Sequence, residues 1–201
     1  MAKRIRAHVN PLAVREKFTF PGFGNDQPIF VDVGAFKGEF MWDLREQFPD
    51  HNFILFEIRL PIAAELREKF KDCHNVAIFT GDAGKNFKNI LQPCLDEGAS
   101  IKEIFINFPD PWFKDKHKKR RFITTQFLNS ITDWFPTETD FIFQTDQEFL
   151  YNETKEYLEE TTFNITEEFD KPPYGLTTDW EDAKVADGGS VWRMRFTKLK
   201  I

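Results

Sequence analysis

Apolar positions along the chain fall into two alternating textures. Short runs rich in branched and aromatic residues, such as Ile29-Phe30-Val31-Asp32-Val33, end in polar or glycine-containing turns. Between them lie stretches whose apolar residues recur three and four positions apart. The first texture predicts strands over Ile29–Val33, Asn52–Ile58, Asn75–Phe79, Ile101–Asn107 and Asp140–Thr145, with two more strand-like runs at Thr162–Thr166 and Ser190–Lys198. The second predicts helices over Gly38–Phe48, from Pro61 onward, and over Lys85–Leu95, Phe122–Phe135 and Gln147–Glu160. Phe40, Met41, Leu44 and Phe48 share one face of the first helix, and Pro61 stands where a first helical turn tolerates proline. Strands alternating with helices predict an α/β fold around a largely parallel sheet. No internal repeat or low-complexity linker interrupts the pattern, so residues 1–201 are expected to form one domain, with 1–27 as an amino-terminal arm.

In a sheet of this kind ligands bind beyond the carboxyl ends of the strands. The first strand runs into Gly34-Ala35-Phe36-Lys37-Gly38 and then a helix, a turn whose glycines allow close approach of a ligand to the backbone. The second strand ends at Glu57, placed to accept hydrogen bonds from ribose hydroxyls, and the third is followed by Asp82-Ala83, suited to the edge of an adenine. Three strand ends supplying a turn and two acids describe a site for a nucleoside-bearing cofactor. The pattern falls short of GxGxxG, because Phe36 occupies a glycine position, and GxxxxGK[ST] is absent. On spacing alone, ordinary strand-to-helix turns and a solvated Glu57 explain the same residues.

Composition narrows the setting. Hydrophobic residues make up 41% of the 201, with 24 Phe, enough to build a core and to exclude a disordered chain. Cys73 and Cys94 form neither a disulfide framework nor a zinc-type spacing, and no metal site is expected. No window resembles a secretory leader or a membrane span, so a cytoplasmic protein with reduced thiols and no membrane partner is expected. The net charge of −6 conceals a strong asymmetry. Residues 138–170 hold eleven acids and one base, leaving 26 bases and 22 acids elsewhere, a net +4. Charges act over about 8 Å at physiological salt, so a polyanion can still bind locally.

The locality in question follows the fourth strand. Asn107-Phe108-Pro109-Asp110-Pro111-Trp112-Phe113 leads into Lys114 to Arg121, which reads KDKHKKRR. An aspartate between two prolines, beside aromatic faces and a basic stripe, suits a base presented on a phosphate backbone. A solvated basic loop with its aromatics folded inward accounts for the same run.

These residues also resemble a family. Phe108 to Arg121 looks like the signature of bacterial-type tRNA (guanine-N7)-methyltransferases, and the likeness covers essentially the whole chain. Arg6-Ala7-His8-Val9-Asn10-Pro11-Leu12 resembles the amino-terminal arm of one branch, Val31 to Gly38 the first cofactor motif, and Phe56-Glu57-Ile58-Arg59 the second. Gln144-Thr145-Asp146, Thr178-Asp179-Trp180-Glu181 and Val191 to Phe196 resemble the family's later motifs. Two departures stand out: Asp32 replaces a glutamate, and Ala35-Phe36 replaces small or glycine residues.

The resemblance implies a Rossmann-like class I methyltransferase fold, a seven-stranded, mostly parallel sheet with an antiparallel last strand and helices on both faces. It implies S-adenosylmethionine as cofactor and N7 of a guanine in the tRNA variable loop as methyl acceptor. Asp32, Gly34, Glu57, Arg59, Asp82, Ala83 and Asn107 would then line the cofactor site, and Asp110 would be the central catalytic residue. Lys114, Asp146, Thr178 and Glu181 would meet the substrate, and Lys118, Arg120 and Arg121 would neutralise phosphates. Without the family, Thr178 and Glu181 read nearly as well as a helix-start pair. Two other readings stay open: a methyltransferase acting on another RNA, and a non-catalytic or partner-dependent RNA-binding module with Phe36 plugging the pocket. Monomer and homodimer are equally compatible with the sequence.

Overall fold

The computed structural model describes residues 9–137 and 139–200. The expected arm motif at Arg6-Ala7-His8 lies outside the described residues. Seven strands form one sheet: β1 (Ile29–Val33), β2 (Asn52–Phe56), β3 (Val76–Phe79), β4 (Ile101–Asn107), β5 (Asp140–Thr145), β6 (Phe163–Glu168) and β7 (Trp192–Lys198). Their order across the sheet is β3-β2-β1-β4-β5-β7-β6. The pairs among β1 to β5 are parallel, whereas β7 runs antiparallel to both β5 and β6, as the resemblance implies.

The helices are α1 (Glu39–Gln47), α2 (Leu60–Lys69), α3 (Ala83–Asp96), α4 (Thr125–Ile131), α5 (Glu148–Glu159) and α6 (Asp179–Ala186). Each central strand is buried on both faces, which is why its sequence is a continuous apolar run. Within β1, Ile29 and Val31 pack on the side of α3, α4 and α5, against Phe87, Leu128 and Leu150. Phe30, between them, faces the opposite side, where Phe40, Met41 and Leu44 of α1 and Leu66 of α2 lie. The strand period of two thus divides one run between two cores. A side chain such as Phe87, 1% exposed in the centre of the first core, contributes about 1.5–3 kcal/mol by burial.

Three strands coincide with the runs that predict them. The remaining differences have local causes. The helix expected over Phe122–Phe135 shortens to α4 because Thr124 caps its start, accepting from Phe127 N–H at 3.1 Å. Helix α6 carries almost no apolar stripe; its one buried residue is Glu181, so periodicity is silent there. The basic run is not open loop throughout, since Asp115–Arg120 winds into a 3-10 turn.

Candidate active site

The carboxyl ends of β1 to β4 surround an open cavity of about 360 Å³, within the usual range for small-molecule sites. Gly34, Glu57, Arg59, Asp82, Ala83 and Asn107 all contribute to its wall, together with Asp110, Lys119, Arg120 and Arg121. The cofactor-type acids and the Asp110 loop therefore share one cavity.

The turn after β1 explains its glycines. Gly34 has φ +91°, and a Cβ there would meet nothing within 4 Å, so the backbone requires glycine while space remains above it. At Gly38, φ +74°, a Cβ would lie 2.5 Å from Leu66 Cδ1, so this glycine lets α1 begin against α2. Phe36 sits between them at φ +50°, a left-handed conformation that favours glycine. Its N–H donates to Glu57 Oε2 at 3.1 Å, and its ring lies 5.1 Å from the Arg59 guanidinium. Phe36 is not part of the cavity wall, so it does not plug the pocket.

Glu57 is 1% exposed and already well satisfied. Its Oε1 accepts from the backbone N–H and Nε of Arg59, both at 2.8 Å, and Oε2 accepts from Arg59 Nη2 at 2.8 Å. The resulting bidentate pair raises the Arg59 pKa chiefly through that hydrogen bonding, with the charge of Asp110 adding a smaller push. Arg59 thus lies within the field of both Glu57 and the Asp110 loop.

Asp32, expected to line the cavity, lies behind its wall: it is 3% exposed, and its Oδ1 has no hydrogen-bond partner among the described residues. Burial, and then the charge of Glu57, pushes its pKa up to about 7. Asp82 caps α3 through Lys85 N–H at 3.3 Å. Lys85 Nζ in turn donates to the carbonyls of Pro11 and Val14, at 2.9 and 2.7 Å, strapping the arm beside the cavity. Pro11 and Leu12 belong to the cavity wall as a result.

Asp110 is half-buried, set between Phe108 at φ +50° and Trp112 at φ +44°. Two non-glycine residues in the left-handed region within five positions store about 1–3 kcal/mol each. The surroundings hold them. Phe108 N–H donates to Gln144 O at 2.8 Å, and Arg121 donates to the carbonyls of Pro111 and Trp112 at 2.8 and 3.2 Å. Arg120 stacks over Trp112 at 4.9 Å.

The expected substrate residues separate into two groups. Lys114 and Lys118 are exposed on the loop, although Lys118 pairs with Glu153 at 3.2 Å and with Asp115 at 3.5 Å. Arg120 and Lys119 reach the cavity. Arg121 also borders the cavity, but its side chain is buried against Glu153 and donates to the loop carbonyls, so in this structure it holds the loop. Asp146 pairs with Lys184 of α6 at 2.9 Å. Thr178 caps α6, accepting from Glu181 N–H at 3.1 Å, and Glu181 is buried in an ion pair with Arg193.

A buried polar chain that the sequence reading missed connects these groups. Arg193 on β7 also donates to Gln144 Oε1 at 2.7 Å, and Gln144 Nε2 donates to Asn107 Oδ1 at 2.7 Å. The available signal was a Gln at the end of the apolar run of β5 and the alternation of Arg193 and Arg195 with Trp192, Met194 and Phe196 in β7.

A cofactor with a nucleoside and an amino-acid tail fits this donor set. The unfilled space over Gly34 and the buried Asn107 Nδ2, which lacks a partner among the described residues, are features of the cavity wall that a ligand would complete. Among the described residues no cluster of His, Cys, Asp or Glu could hold a metal ion. No helix among them is long and apolar enough to cross a membrane.

Known proteins resemble this chain in sequence and in fold. A family model described as putative methyltransferase matches residues 26–194. A tRNA (guanine-N(7)-)-methyltransferase of Prochlorococcus marinus (strain NATL1A) is 31% identical over 98% of this chain and 98% of its own. The enzyme of the same name from Thermosynechococcus vestitus is 27% identical over 100% of this chain and 98% of its own. Among solved structures, an antibiotic-related methyltransferase superposes with a TM-score of 0.59 at 19% identity, covering 86% of this chain and 89% of that one. A SAM-dependent O-methyltransferase from Thermotoga maritima gives 0.54 at 16% identity, covering 88% and 61%. Those two likenesses concern the fold, while the sequence relatives and the family model assign the lineage: the chain belongs to the tRNA (guanine-N7)-methyltransferase family.

Proposed function

We propose that this protein transfers a methyl group from S-adenosylmethionine to N7 of a guanine in the variable loop of tRNA. The observation that carries the reading is the single cavity whose wall combines the cofactor-type strand ends with Asp110 and the basic loop. The bound cofactor would supply an electrophilic methyl group on a sulfonium. Glu57 would hold its ribose, with Arg59 yielding part of its present grip, while Asp82 and Ala83 would border the adenine and Asn107 would serve the amino-acid end, with Asp32 behind the wall.

Guanine N7 bears an in-plane lone pair and no proton, so no strong general base is required. The protein's task is orientation, which in well-aligned intramolecular reactions is worth roughly 7–11 kcal/mol. Asp110, held by its prolines and by the Arg121 bracket, would accept from guanine N1–H and the exocyclic amine. Its carboxylate also offsets the positive charge that N7 methylation places on the base. Lys114, Lys118, Lys119 and Arg120 would neutralise phosphates of the RNA. Asp146, Thr178 and Glu181 would complete the substrate side through α6.

Methyl transfer from labelled S-adenosylmethionine to an unmodified tRNA transcript, mapped by cleavage at N7-methylguanine, tests the reading. One modified guanine in the variable loop is the expected result. Methylation at another RNA position would change the substrate, and tRNA binding without transfer would favour the non-catalytic or partner-dependent alternative.

A further inference from the structure

Beside the cavity two exposed aromatic rings meet. Phe113 is 68% exposed and Phe149 40% exposed, and their centroids lie 5.5 Å apart with planes at 45°. They come from different elements. Phe113 continues the loop that carries Asp110, and Phe149 lies in the first turn of α5, just past Asp146. The Arg121 guanidinium, fixed by Glu153 and the loop carbonyls, lies 5.3 Å from the Phe149 ring and supports it.

Single exposed apolar side chains also occur elsewhere on the molecule, Leu60 and Trp180 among them, but Phe113 and Phe149 pack on one another to form a joint aromatic face in water. Lys114, Lys116 and Lys119, all exposed, follow Phe113 within a few residues. Flat apolar faces beside cations match a chain that has π-faces and phosphates together, which is single-stranded nucleic acid. An acidic peptide would satisfy the lysines and leave the rings without flat partners. Three residues of extended chain span at most about 10–11 Å, so Phe113 stands within a nucleotide or two of a base held by Asp110.

We propose that Phe113 and Phe149 form a stacking platform for an unstacked nucleobase adjacent to the methylated guanine. The assignment rests on the RNA-substrate reading, and it adds a base-contact subsite outside the cavity. Stacking on an aromatic face is tolerant of base identity, so the platform recognises an unpaired flanking nucleotide rather than a particular letter.

The test uses the full chain and a labelled tRNA transcript, with and without an abasic nucleotide beside the target guanine. Phe113→Ala is expected to weaken tRNA binding about tenfold at fixed salt, the size expected for one lost stack, with the salt dependence unchanged because the lysines remain. Binding of S-adenosylhomocysteine and the melting temperature should match wild type, which separates lost stacking from misfolding. The abasic tRNA should bind wild type about as weakly as intact tRNA binds Phe113→Ala, and the two changes together should add nothing. Phe113→Trp should restore affinity, with its fluorescence quenched by RNA. Equal affinity of wild type and Phe113→Ala for intact tRNA overturns the platform alone. Absence of tRNA binding by wild type overturns the substrate reading with it.

Discussion

Arg193 Nε donates to Gln144 Oε1 at 2.7 Å, and this contact fixes which way the Gln144 amide faces. A guanidinium can only donate, so the Gln144 oxygen must turn toward it and the nitrogen toward Asn107. Asn107 then accepts at Oδ1, at 2.7 Å, and its own amide nitrogen is left buried with no partner among the described residues. A charged side chain on β7 thereby determines that a residue of the cavity wall holds a spare donor instead of a spare acceptor.

Gln144→Glu tests this polarity. A carboxylate accepts from both neighbours, so Asn107 must reverse and turn its nitrogen away from its present place. Loss of one hydrogen bond to a bound ligand costs about 1–2 kcal/mol, roughly tenfold in affinity. Calorimetric titration with S-adenosylhomocysteine should show that loss while the melting temperature holds. Unchanged affinity would mean that Asn107 contributes no donor to the ligand.

Glu181 and Arg193 are both buried, at 2% and 6% exposure, and are joined as an ion pair. Removing one partner strands the other charge, so Arg193→Met should destabilise the protein by about 3–5 kcal/mol. Adding Glu181→Gln to that variant removes the stranded carboxylate and should recover about half of the loss. Urea unfolding of the four proteins in a double-mutant cycle measures it. Additive losses would show that the pair is energetically uncoupled.

Asp110→Asn keeps the shape of the side chain and removes its charge. Because the variant loses one of the two acceptors that would orient guanine and the charge that would offset the cationic base, turnover should fall about 100- to 1000-fold at saturating tRNA, with little change in methyl-donor affinity. Turnover within about twofold of wild type would remove Asp110 from the centre of the reaction.

How much of this was readable in the chain depends on the kind of signal. The ends of β1 and β4 were legible because burial on both faces gives an apolar core to each strand and fades at its last residue, whereas β5 stays buried through Gln144 and Thr145 and was marked by the polar turn after it. The cavity wall was largely legible too, since Glu57, Asp82 and Asp110 follow strands that the sheet order brings side by side. Pairings across distant segments were not. Both arginines border the cavity, and nothing in the basic run distinguishes Arg121, buried against Glu153, from Arg120, which lies over the Trp112 ring. Glu181 likewise reads as a helix-start acid until β7 brings Arg193 against it. The alternative in which Phe36 plugs the pocket stayed open because its residue type is visible in the chain and its positive φ is not; in the structure its ring lies over Arg59.

Asp32 joins the two halves of the cofactor turn to stability. Burial first, and the nearby charge of Glu57 second, raises its pKa from 3.8 to about 7. In the unfolded chain the same carboxyl releases its proton near pH 4. Between about pH 4 and pH 7 the folded state therefore holds a proton that the unfolded state has lost, so stability falls as pH rises through that window. Below the window both states are protonated and the penalty vanishes; above it both are ionised and the full cost of the buried charge is present. Asp32→Asn removes the ionisation and keeps the outline of the side chain. The variant should match wild type near pH 4 and exceed it at pH 8 by up to about 4 kcal/mol, at about 1.4 kcal/mol for each pH unit over which the proton is retained. Urea unfolding at pH 4, 6 and 8 measures the difference. An offset that stays constant across the three values would mean that Asp32 ionises as an ordinary carboxyl and that the pH dependence of folding arises elsewhere.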